Sequence, residues 1–137
     1  MRTSRLIRWA GVVVLLALFA TSVAWAGSYL DRAALLINEA RRASQFLRNR
    51  TYDKELARVV HHAAVARLEA AQKMSVPKEV YLAHPHVLIV LEHHERAAEA
   101  AANGDVPKFF VYELKADEEE RVLRSVFEQL GWPLPKP

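Results

Sequence analysis

Apolar residues recur at spacings of three and four along four stretches of the chain, the signature of amphipathic helices. In the first stretch, from about Tyr29 to Arg50, Ala33, Leu36, Ala40, Ala43 and Leu47 define one stripe. Arg48 and Arg50 fall in its last turn, where cations suit the negative end of the helix dipole. Thr51-Tyr52-Asp53 connects it to the next stretch, with Asp53 a suitable N-cap. That second stretch runs from about Lys54 to Met74 and places Leu56, Val60, Ala63, Ala70 and Met74 on one seam. Arg67 fills the remaining slot, either at the bundle edge with its head in water or against a buried carboxylate.

Ser75-Val76-Pro77 interrupts the pattern, and a short helical turn is expected over Lys78 to Ala83. Pro85 suits the first turn of a third long helix, which should end near Asn103-Gly104. Asp105 can cap the last segment, with Pro107 in its first turn. FFVYELK is either continuous with ADEEERVLRSVFEQLG or divided from it at Asp117, where four acidic residues in a row resemble a helix start. Val122, Leu123, Val126, Phe127 and Leu130 give the last segment its apolar face, and Gly131 stops it. The tail WPLPKP, residues 132–137, is expected to lie along the surface. Short connections between long amphipathic helices favour antiparallel neighbours. The expected fold is therefore all-α, an up-down four-helix bundle or a closely related helical array over residues 27–131.

The first 26 of the 137 residues read as an export signal. Arg2, Arg5 and Arg8 form a basic head, Gly11 to Val23 a short apolar run, and Ala24-Trp25-Ala26 the small-x-small pattern of a cleavage site. The run is shorter than the roughly 20 apolar residues of a spanning helix. Contact with a membrane is expected only if this leader is retained as an anchor, with Trp9 and Trp25 at the two interfaces. The expected location is the periplasm or the medium outside.

The leader also changes the charge. The chain has 19 Lys+Arg against 16 Asp+Glu, but the three leader arginines account for the whole excess. A mature domain of zero net charge offers no footprint for nucleic acid. There is no cysteine, which excludes disulfides, thiolate metal sites, a thiol nucleophile and covalent c-type haem attachment. No glycine-rich phosphate loop and no serine triad spacing stand out, so the expectation is a protein without enzymatic activity. Its partner would be an unknown protein or a second copy of itself.

Six histidines are the remaining candidate chemistry. No two lie three or four apart, and none has a carboxylate at that spacing within its own helix, so a single-helix metal site is excluded. A site across helices remains. An antiparallel second and third helix would bring His61 toward His94, with His93 or His62 nearby. Such a pair offers axial ligands to haem b, or holds a transition metal with the help of a carboxylate. The competing reading makes each histidine a core residue bonded to a backbone carbonyl or a neighbouring acid. Six histidines on a neutral domain also suggest a response to acid below about pH 6. Glu92, Glu95 and Glu99, and the run Glu118 to Glu120, are expected to be solvated, and His84 and His86 to belong to the turn around Pro85.

Overall fold

The computed structural model describes the backbone of residues 3–136 and the side chains of residues 26–136. The expected leader, apart from Ala26, lies outside the described side chains, and its cleavage or retention with it. The chain folds as α1 (Thr3–Arg48), α2 (Lys54–Gln72), α3 (His84–Ala102) and α4 (Val106–Gln129), with a 3-10 turn at Lys78–Val80 before α3. Among the described residues there is no strand, and no helix is long and apolar enough to cross a membrane.

Local signals set the helix ends. The Asp53 carboxylate accepts the Leu56 N–H at 3.0 Å, and the Asp105 carboxylate accepts that of Lys108 at 3.1 Å. Each satisfies a donor that the first helical turn leaves without a partner. Gly104 turns the chain between α3 and α4 at φ +79°, and a Cβ there would lie 2.7 Å from the Lys54 side chain. The positive φ favours glycine there, and the flexible end of Lys54 occupies the space that a Cβ would take.

α4 runs unbroken through Asp117–Glu120. Its buried residues are Phe109, Glu113, Ala116, Glu120, Leu123 and Phe127, a seam of alternating four and three spacing that crosses the acidic run without interruption. Packing of this seam, rather than the local preference of acids for a helix start, decides the element. Val122, expected on the apolar face, is 46 % exposed.

The helices run up, down, up and down. Tyr29 and Ser44 on α1 meet His84 and His94 on α3 in the same order. His86 and His94 on α3 meet Glu119 and Glu113 on α4 in reverse order. α3 packs against all three other helices, whereas α4 packs chiefly on α3. The arrangement is thus a bundle with α1 drawn onto α3 and α4 set to one side.

Two apolar clusters form the core. One joins Tyr29 to Ala40 of α1 with Val87, Val90, Leu91, Leu123 and Phe127. The other joins Leu47, Ala57, Ala97, Ala98, Ala101 and Phe109. The C-terminal tail lies along the surface at Pro133, Pro135 and Lys136, while Leu134 is buried in the first cluster with Trp132 packed against it. Its prolines keep it out of a helix, yet its two apolar side chains still find the core.

The seam of α2 differs from the sequence expectation by one residue. Ala57, Ala64 and Ala71 are buried, while Ala63 and Ala70 are exposed. Leu56, Val60 and Leu68 flank the alanine line, half buried. Small residues at the centre let α2 approach α3 closely, and larger ones fill the margins. Arg67 is also half buried; desolvation lowers its pKa, and the Glu39 charge on α1 opposes that shift. Ala64→Leu should therefore cost about 1–3 kcal/mol through overpacking. Ala63→Leu should stay within about 0.5 kcal/mol. Urea unfolding of the two variants separates the registers, and equal effects would refute the observed one.

Candidate functional site

Between the two apolar clusters the core turns polar. Ser44, His94, Glu113 and Glu120 are the buried polar and charged residues of the described chain. Each occupies a seam position. Ser44 lies between Ala40 and Leu47, His94 between Leu91 and Ala97, and Glu113 and Glu120 on either side of Ala116. Helical periodicity drives them inward, and the facing helices must then supply partners.

Ser44 Oγ lies 2.9 Å from His94 Nδ1, and Glu113 Oε1 lies 3.3 Å from the same nitrogen. Oε1 approaches without hydrogen-bond alignment, so that contact is electrostatic. Arg48 Nη2 donates to Glu113 Oε2 at 3.4 Å from the rim. Burial pushes the Glu113 carboxyl toward its neutral form. The nearby His94 and Ser44 polar groups and the Arg48 guanidinium outweigh that push and leave its pKa below the ordinary 4.5. Glu113 is therefore a charged carboxylate in the core, tied to α1 and α3.

Two turns along, Glu120 repeats the arrangement. It is held by Arg41 of α1, with Nε donating to Oε2 at 3.2 Å, and by Arg124 of its own helix, with Nε donating to Oε1 at 2.9 Å. Arg41 and Arg48 are seven residues apart, as are Glu113 and Glu120, so two ion pairs cross the α1–α4 gap in antiparallel register.

Serine, histidine and glutamate within reach of one another invite comparison with a hydrolytic triad. The geometry does not relay a proton. A triad uses both ring nitrogens, one for the nucleophile and one for the acid. Here both partners crowd Nδ1, while Nε2 is buried without a partner. The side chains of His94 and Glu113 are 3 % and 6 % exposed, which seals the group from solvent.

Four of the other five histidines also join helices, and His62 is exposed beside His61. His61 Nε2 bonds Glu95 at 2.7 Å between α2 and α3, and His86 Nδ1 bonds Glu119 at 2.5 Å between α3 and α4. His84 Nδ1 lies 2.9 Å from the Tyr29 hydroxyl of α1. Burial raises the Tyr29 pKa to about 12, against the opposing Arg32 charge, so the phenol keeps its proton and donates it. Burial also lowers the His84 pKa, leaving the neutral acceptor. His93 packs on Tyr112 with ring centroids 6.1 Å apart, and its Nδ1 is buried without a partner. Its pKa is lowered first by burial and then by Lys115 and His94, against Glu92 and Glu119.

The histidines proposed as ligands are thus engaged separately. His61 reaches Glu95, His94 reaches Ser44 and Glu113, and His93 lies against Tyr112. Among the described residues no three His, Asp or Glu side chains gather as a metal site. Glu95, Glu119 and Glu120 are correspondingly not a solvated face, because their side chains are 15 %, 21 % and 9 % exposed. Ser44, Glu113 and Arg41 carry the site and were not singled out from the sequence; Glu120 was expected to be solvated, and Arg48 to serve only the helix dipole. The usable signal was their seam spacing with Ala40, Leu47, Phe109, Ala116 and Leu123.

Comparison of the chain with protein-family models, with curated proteins and with solved structures finds no match in any of the three.

The resolved pKa shifts fix the sign of the acid response. His84 and His93 bind protons more readily unfolded, so their contribution is present above about pH 6.5 and drains as pH falls through the lowered folded values. Glu113 contributes above about pH 4.5 and is lost on further acidification. Urea unfolding followed from pH 7.5 to 3.5 should show stability falling in these two steps. Glu113→Ala should remove the lower step and cost about 3–5 kcal/mol at pH 7. Glu118→Ala, at an exposed position of the same helix, should cost under about 0.5 kcal/mol.

Proposed function

We propose that the chain is an exported, periplasmic or secreted helical-bundle protein with a binding or interaction role, and that acid changes its packing. The observation that carries this reading is the use of the titratable groups. Tyr29–His84, His61–Glu95, His86–Glu119 and the Ser44–His94–Glu113–Arg48 group each join two or more helices. Groups committed to holding helices together are poorly placed to bind and turn over a substrate. The leader of residues 1–26 supports export.

The four ties respond differently to protons. His61 and His86 face glutamates, so protonation converts those bonds into ion pairs that still hold α2 and α4 to α3. His84 faces the hydroxyl of Tyr29, and protonation removes the lone pair that this hydroxyl bonds. His93 lies among Lys115, Glu92, Glu119, His94 and Tyr112, and burial with the nearby cations disfavours its charge. Mild acid therefore loosens α1 at its Tyr29 end. The Ser44 end stays tied to α3 and α4 until Glu113 is protonated.

Amide hydrogen exchange at pH 7.5 and 5.5, corrected for intrinsic rates, tests this. Residues 29–37 should lose protection at pH 5.5 by about tenfold, a change of about 1.4 kcal/mol, while residues 57–71 and 94–101 keep theirs. Uniform change along the chain, or none, would refute an acid response seated at Tyr29–His84.

A further inference from the structure

Of the asparagines in the chain, Asn38, Asn49 and Asn103, only Asn103 precedes a glycine. Asn103 is the C-cap of α3, at φ −82° and ψ −5°, and Gly104 follows at φ +79°. Both residues are exposed. An asparagine before a glycine is chemically unstable, because the next backbone nitrogen can attack the side-chain amide and no Cβ stands in its path. Asn38 and Asn49 precede Glu39 and Arg50, whose side chains obstruct the same attack.

The folded turn holds this chemistry back. The Gly104 N–H donates to the Ala101 carbonyl at 2.9 Å, and the Asp105 N–H donates to that of Ala100 at 2.8 Å. These bonds satisfy carbonyls that the last turn of α3 would otherwise leave free. A bonded Gly104 N–H is a poor source of the nitrogen nucleophile, since attack requires loss of its proton. At ψ −5° the Gly104 nitrogen also eclipses the Asn103 nitrogen, whereas ring closure needs it to eclipse Cβ. The attack therefore waits for the turn to open. An exposed turn at a helix end opens at far lower cost than the core.

We propose that Asn103 is a site of spontaneous deamidation, reached through local opening of the α3–α4 turn, with water as the co-reactant. Solvent base removes the Gly104 amide proton, and the nitrogen attacks Asn103 Cγ. The bond from Cγ to Nδ2 breaks, ammonia leaves, and a five-membered cyclic imide joins the two residues. Water then opens one of the two carbonyl–nitrogen bonds of the imide. Breaking the bond at Cγ leaves aspartate in a normal chain. Breaking the main-chain bond leaves isoaspartate, whose backbone runs through Cβ and is one carbon longer. The net exchange is one water for one ammonia, with nothing oxidised or reduced.

Either product alters the corner between α3 and α4. Both place a carboxylate at the negative end of the α3 dipole, in a cleft that Glu99 and Asp105 also line. Isoaspartate in addition moves the Gly104 and Asp105 N–H groups out of register with the Ala101 and Ala100 carbonyls. Asp105 caps α4, and its carbonyl accepts the Phe109 N–H at 3.0 Å, so the change reaches the second apolar cluster.

Peptide mapping by mass spectrometry tests this on the full chain, as its host cell processes it, held for several weeks in buffer or in guanidinium chloride. Asn103 should convert in the folded protein, with isoaspartate among the products and with Asn38 and Asn49 intact. Conversion in the denaturant should be at least about tenfold faster, because no turn has to open first. Asn103→Gln should stop it, since the longer side chain closes the ring poorly. An intact Asn103 in the folded chain, aspartate without isoaspartate, or equal rates in buffer and denaturant would each overturn the proposal. The acid response is decided separately by hydrogen exchange.

Discussion

The carboxylate of Glu113 is the group around which the rest of the bundle is arranged. Burying an isolated carboxylate costs several kcal/mol. The chain offsets that cost from two other helices: Arg48 on α1 donates to the carboxylate, and His94 on α3, itself bonded to Ser44 of α1, lies 3.3 Å from it. The net shift of Glu113 toward the charged form shows which effect wins. A charged, partnered group at a seam position fixes register, because a slip by one residue would leave the carboxylate facing apolar side chains without a donor. Glu120 with Arg41 repeats the constraint one heptad away, and the two pairs together orient α4 against α1.

The shape of the bundle follows from this layer. Ala33, Ala34 and Ala40 are buried on α1, and Ala97, Ala98, Ala100 and Ala101 on α3. α4 carries two glutamates where apolar side chains would otherwise interdigitate, so it stands off from α1 and is spanned by long arginine side chains. The layer divides the core into two apolar halves, and each half has its own response to protons. The half near Tyr29 depends on a neutral His84, and the boundary between the halves depends on an ionised Glu113.

Much of this was legible in the sequence. Asp53, Pro85, Gly104 and Asp105 mark the helix boundaries because caps and turns are local, and the structure keeps each in that role. The seam of α1 was legible at Ala33, Ala40 and Leu47, but Ile37 and Ser44 are buried where Leu36 and Ala43 were expected, and those two are half buried. The α2 seam was displaced because alanine is apolar enough to be read on either face, and Ala63 and Ala64 are equivalent in a hydrophobicity pattern. The polar layer was overlooked for a different reason. Serine, glutamate and arginine count as surface residues when hydrophobicity alone is scored. Glu113 and Glu120 become core residues only once Phe109, Ala116, Leu123 and Phe127 are seen to bracket them at heptad spacing. His61, His93 and His94 were weighed as joint ligands of a haem or metal against the alternative of a neighbouring acid; the acids themselves, Glu95, Glu113 and Glu119, lie on helices whose register no local pattern fixes.

The central claim is that Glu113 stays ionised inside the bundle because Ser44, His94 and Arg48 outweigh its desolvation. A carbon-13 NMR titration of the Glu113 side-chain carboxyl in the folded protein measures that balance directly. The expected midpoint lies below the ordinary 4.5. A midpoint above 4.5 would show that burial prevails over the polar partners, and would contradict the claim.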